Sequence, residues 1–129
     1  AARESARRRA RLSPKLVTGG REAARGKDLH SMIEADLAFH RAIYEAAGNP
    51  VLAQSAERHW SHIRRIMAAT LSQVGTRAAI WDEHERLLSA ILEGDDSAAQ
   101  QLALHHCENA GHALVARAGS LTAQEQQQA

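Results

Sequence analysis

A single cysteine, Cys107, stands among 129 residues. That scarcity excludes an internal disulfide framework and a zinc cluster built from cysteines. Proline (two residues) and the aromatics (two Trp, one Tyr, one Phe) are equally sparse, and glycine is limited to eight. Against this background the abundance of Ala, Leu, Arg, Glu and Gln weights the chain toward helix, so the expected fold is all-α. No apolar run approaches the roughly 18 residues that a membrane helix needs, which excludes a spanning helix. No charged-then-apolar leader opens the chain, and the composition is compatible with the cytoplasm. The chain lacks an initiator Met, as expected of a piece cut from something longer. Its length, with 24% charged residues and a formal net charge of +1, suits one ordinary domain.

What charge there is lies unevenly. Residues 1–27 carry Arg3, Arg7, Arg8, Arg9, Arg11, Lys15, Arg21, Arg25 and Lys27 against Glu4 and Glu22, so this segment is +7 and the remainder −6. Without interleaved aromatics or a DNA-reading motif, the basic run reads as a solvated helix end plus linker rather than a nucleic-acid surface. Residues 2–11 can be helical, while Leu12-Ser13-Pro14 and Gly19-Gly20 are expected to interrupt the segment beyond them. Residues 1–28 are therefore assigned as a partial first helix and linker.

From Asp28 onward apolar positions recur at three and four. Leu29, Ile33, Asp36, Leu37, His40, Ile43, Tyr44 and Ala47 form one stripe, which predicts an amphipathic helix ending at Gly48. Gly48-Asn49-Pro50 then supplies a left-handed C-terminal residue, an N-cap and a proline at the first helical position. A second helix, from 50 to about 71, presents Leu52, Ala56, Trp60, Ile63, Met67 and Leu71. Gly75-Thr76 predicts a break and cap before a third stripe of Ile80, His84, Leu87, Leu88 and Ile91, closed by Gly94. Asp95 caps a fourth helix carrying Ala99, Leu102, His106, Ala110, Ala113, Leu114 and Ala118. Four helices of roughly 17 to 24 residues, joined by short corners, predict an antiparallel bundle over residues 29–118. Residues 119–129, rich in Gln, read as a disordered polar tail.

Eight histidines are many for this length, and three of them, His40, His84 and His106, fall on the apolar stripes of three different helices. Asp36 lies one turn before His40 on the same face. A carboxylate and three imidazoles form a ligand set suited to Zn²⁺ and open to Ni²⁺, Mn²⁺ or Fe²⁺. A divalent cation would offset the cost of burying Asp36, which core filling leaves unexplained. The competing reading is a set of hydrogen-bonded core histidines without metal. His105 points about 100° away from His106, and His30, His59, His62 and His112 lie toward edges or polar faces.

The run Asp36-Leu37-Ala38-Phe39-His40-Arg41-Ala42-Ile43, with Ala46-Ala47-Gly48-Asn49-Pro50-Val51-Leu52, resembles the core signature of the FCD domain. This is the ligand-binding domain of FadR-subfamily GntR transcription regulators. Glu83-His84-Glu85-Arg86-Leu87-Leu88 is a second match, and Gly94-Asp95 followed by Ala98-Ala99 and His106 is a third. The resemblance covers about residues 29–117 in the family's order.

The resemblance implies an all-helical bundle that binds a small effector, commonly an organic acid, and helps the regulator form a homodimer. It also implies a divalent metal held by Asp36, His40, His84 and His106, with His106 preferred to His105. An acid bound to that metal would present its remaining charge to an arginine, for which Arg41, Arg64 and Arg65 are the candidates. The cavity would be shaped by residues such as Trp60, Ile63, Met67, Ile80 and Trp81. The winged helix-turn-helix that precedes this domain in the family has no counterpart in residues 1–28, so DNA binding is expected of a part missing from this chain. A metalloenzyme is the second reading. Its one tempting base is Glu83, which helical geometry turns about 100° from His84 and toward the surface. A metal-free interaction bundle is the third.

Overall fold

A computed structural model describes residues 2–128. Among the described residues six helices succeed one another: α1 (Ala2–Arg9), α2 (Lys15–Arg25), α3 (Leu29–Ala47), α4 (Pro50–Leu71), α5 (Arg77–Glu93) and α6 (Asp96–Gln128), with a 3₁₀ turn at Val74–Thr76 before α5. No strand occurs among the described residues, so the all-α expectation holds.

The corners form for the local reasons the sequence states. The Asn49 side chain accepts the amides of Val51 and Leu52 at the start of α4, directly after Gly48 closes α3 at φ 70°. Asp95 accepts the Ala98 amide at 3.0 Å and opens α6, and Gly94 ends α5 at φ 75°. Positive φ is costly for residues with a Cβ, so both glycines are required by the turns they make. Thr76 departs from its expected role. Its hydroxyl donates backwards to the carbonyls of Thr70 and Gln73, at 2.9 and 2.8 Å, tying the 3₁₀ turn to the end of α4 instead of capping α5.

The helices close into a ring. α2 packs on α3, α3 on α4, α4 on α6, α6 on α5, and α5 back on α2, while α1 lies against α3. Residues 15–25, expected as an interrupted linker, are thus a structural wall. Pro14 precedes the first turn of α2, where a missing amide hydrogen costs nothing. Gly20 is helical because Trp81 of α5 lies on it: a Cβ there would come within 2.0 Å of the indole ring. That close approach seats Trp81 in a core of Leu12, Val17, Phe39, Leu87 and Leu88. A second core cluster, Met32, Leu37, Trp60, Met67 and Leu71, fills the α3–α4 side.

α6 is longer than the sequence suggests, and residues 119–128 continue it as an exposed helix. Their Ala, Gln, Glu and Leu are good helix formers. Polarity foretold their exposure but not their conformation. Arg117 joins α6 to the end of α4 by donating to the Ala69 carbonyl at 2.9 Å and contacting the Ser72 hydroxyl.

Candidate metal centre

Asp36 and His40 reach the inside of the ring from successive turns of α3, His84 from α5 and His106 from α6. His40 Nε2 lies 3.3 Å and His84 Nε2 3.4 Å from the same atom, Asp36 Oδ1. One ligand nitrogen from each of His40, His84 and His106 falls within 4.8 Å of the others. Metal–ligand distances of about 2.0–2.1 Å put neighbouring ligand atoms of a tetrahedral site ~3.3 Å apart. The two separations around Asp36 match that spacing.

Asp36 Oδ1 and both ring nitrogens of His84 are buried without a hydrogen bond. His84 is 0% exposed, and Phe39 stacks on it at 4.2 Å with Trp81 edge-on at 4.7 Å. Burial pushes the His84 imidazole down to about 3; the Asp36 carboxylate opposes the shift, and His40 and His106 add to it. The ring is therefore a neutral donor over the physiological range, the form that ligates metals. Burial also raises the Asp36 carboxyl. The contact with His40 and the nearby imidazoles outweigh it and hold the carboxyl below its ordinary value of 3.8. An ionised Asp36 beside the neutral His84, whose ring nitrogens make no hydrogen bond, fits a divalent cation, as the donor set requires.

Glu83 departs from its expected surface position. It is 18% exposed rather than on the surface, and its Oε2 lies 2.6 Å from His106 Nδ1 while its Oε1 accepts from Asn109 Nδ2 at 2.6 Å. With Glu83 ionised, Nδ1 carries the proton and Nε2 of His106 is left as the donor. The signal was present in the sequence, because Glu83 lies three residues beyond Ile80 and so shares its face.

Beside the centre opens a cavity of about 440 Å³ between α3, α4, α5 and α6. Its wall includes Tyr44, Trp60, Ile63, Met67, Ile80 and Leu114, together with Asp36, His40, Glu83 and His106. Trp60, Ile63, Met67 and Ile80 line it as expected, whereas Trp81 belongs to the core over Gly20.

The three candidate arginines do not line the cavity. Arg41 lies 3.3 Å from Glu57 and over the Trp60 ring at 5.2 Å, and Arg64 donates to Glu34 at 2.5 Å. Arg41 Nε is buried without a hydrogen bond, and Arg64 is half-buried. Arg65 is exposed. His30, His59, His62, His105 and His112 are likewise exposed, as their helical positions require.

A helical ring around a ligand-sized cavity defines an all-α small-molecule-binding bundle. The chain belongs to the FCD domain family, whose model matches residues 1–109. FCD is the C-terminal domain of FadR-like GntR-family regulators, a regulatory effector-binding domain rather than an enzyme. The match takes in α1 and α2, in keeping with their packing on the ring. No curated protein matches the chain, and no solved structure does. Among the described residues no helix is long and apolar enough to cross a membrane.

Proposed function

We propose that this domain binds a divalent metal through Asp36, His40, His84 and His106 and a small carboxylic acid beside it, and that the acid modulates a GntR/FadR-type regulator. The observation that carries this reading is the meeting of Asp36 Oδ1 with His40 and His84 at 3.3 and 3.4 Å, where the carboxylate oxygen and both His84 nitrogens are buried without a hydrogen bond. Zn²⁺ suits the donors best, with Ni²⁺, Mn²⁺ and Fe²⁺ as alternatives. When bound, the metal supplies a Lewis-acidic site for a carboxylate oxygen.

The chain's own residues do the rest. Asp36 contributes the one charge and His40 the neighbouring nitrogen from the same helix face. His84 is fixed by Phe39 and Trp81, and Glu83 fixes the tautomer of His106. α3, α5 and α6 each supply at least one ligand, so filling the site ties three helices of the ring together. An effector acts by favouring one arrangement of those helices. DNA contact falls to a separate winged helix-turn-helix domain and the domain pairs as a homodimer, in the cytoplasm. Glu83 is occupied by His106 and Asn109, which leaves a metalloenzyme without the base proposed for it.

Elemental analysis of untagged, dialysed protein tests the metal. About one divalent ion per chain is expected. None, even after reconstitution with zinc, nickel and manganese, would withdraw the site.

A further inference from the structure

The cavity wall is unusual for an acid-binding site in what it omits. Among the described residues that line it, none is Lys or Arg, and two, Asp36 and Glu83, are carboxylates. Arginines around it are engaged elsewhere, Arg41 over the Trp60 ring and 3.3 Å from Glu57. Arg77 Nε donates to the Leu71 carbonyl at 2.7 Å and Arg117 to the Ala69 carbonyl at 2.9 Å, and neither lines the cavity. Thr70 and Thr76, which do line it, spend their hydroxyl protons on backbone carbonyls. Asn109 donates to Glu83. Away from the metal centre the wall is largely apolar, with Ile63, Met67, Ile80 and Leu114, and its neutral polar groups include the Tyr44 hydroxyl and the Trp60 indole N–H, which is buried without a hydrogen bond.

Resting on the metal-and-carboxylate reading above, we infer that the effector is a monocarboxylate with an apolar body, and that dicarboxylates are rejected. A divalent ion held by Asp36 and the three histidines accepts one ligand carboxylate when its coordination expands beyond four, since a purely tetrahedral site would be closed. A second carboxylate would exchange its hydration for neutral donors at most, the Trp60 N–H and the Tyr44 hydroxyl, with no cation in the lining to meet its charge. An alkyl or aryl body, by contrast, gains from burial against Trp60, Ile63 and Met67. Specificity against the diacid thus comes from a missing counter-ion rather than from an added contact.

Calorimetric titration of the zinc-loaded chain with hexanoate and adipate, two acids of equal carbon number, tests this. Hexanoate is expected to bind at least tenfold more tightly. Leu114, 37% exposed at the cavity rim, offers a tolerant place to add the missing charge, and Leu114→Arg is expected to raise adipate affinity at least tenfold. Adipate binding as tightly as hexanoate to the unmodified chain overturns the inference and leaves the metal-carboxylate reading intact. A folded Leu114→Arg chain with no gain for adipate overturns the counter-ion argument. If zinc is held at one per chain and neither acid binds, the effector reading itself fails.

Discussion

Glu83 on α5 holds His106 on α6 through a 2.6 Å contact between its Oε2 and the imidazole Nδ1. Its other oxygen accepts a hydrogen bond from the Asn109 side-chain amide, one turn further along α6. A carboxylate behind a ligating imidazole sets the tautomer and raises the basicity of the free nitrogen. Glu83→Gln is expected to weaken zinc about tenfold and Glu83→Ala up to about a hundredfold. Competition against a calibrated chelator reads this directly, with circular dichroism to confirm the helices. Unchanged affinity in both variants would reduce Glu83 to a helix-packing residue.

The ligand set separates neighbouring histidines. His84→Ala and His106→Ala should each abolish stoichiometric zinc, while His105→Ala should retain it, since His105 is exposed and His106 is inside. His59→Ala and His62→Ala serve as further controls; their rings lie 6.4 Å apart on the exposed face of α4. Equal loss from His105→Ala and His106→Ala would contradict the face assignment.

The metal-free protein should lose stability on mild acidification. In the unfolded chain His84 takes up its proton near the ordinary 6.5, whereas burial delays this in the folded chain to about 3. Between those values the unfolded state binds more protons, so stability falls as pH falls. At pH 5 the difference amounts to about 2 kcal/mol from His84 alone. Asp36, held below its ordinary value, acts in the same direction at lower pH. Urea unfolding in the presence of a chelator at pH 7 and pH 5 measures the loss, and His84→Phe should flatten it. Greater stability at pH 5 would reverse the sign and refute the buried neutral imidazole.

Adjacent glycines in α2 should respond oppositely to alanine. At Gly20 a Cβ meets the Trp81 ring at 2.0–2.3 Å, so Gly20→Ala should destabilise by about 1–3 kcal/mol through displacement of the indole. Nothing lies within 4 Å of a Cβ at Gly19. Gly19→Ala should therefore stabilise by roughly 0.5–1 kcal/mol, the helix preference of alanine over glycine. Thermal unfolding of the two single variants distinguishes a packing requirement from a mere helix weakness.

Much of this molecule was legible one-dimensionally. The corners at Gly48-Asn49-Pro50 and Gly94-Asp95 are local events, decided by backbone conformation and side chains within three residues. The stripes that carry Asp36, His40, His84 and His106 inward arise from helical period alone. Exposure of His105, Arg65 and the Gln-rich end has the same origin.

Features that remained hidden depend on partners distant in sequence. Gly20 reads as a breaker until Trp81, sixty-one positions later, is laid across it. The arginines Arg41 and Arg64 read as ligand partners until Glu57 and Glu34 are seen beside them. Glu83 reads as a surface acid until α6 brings up His106 and Asn109. Which residues share a helix face is dictated within one segment, by the 3.6-residue turn, and is legible from residue order. Which faces meet, and what charge each side chain finds there, is settled by packing, which brings together groups the chain keeps far apart.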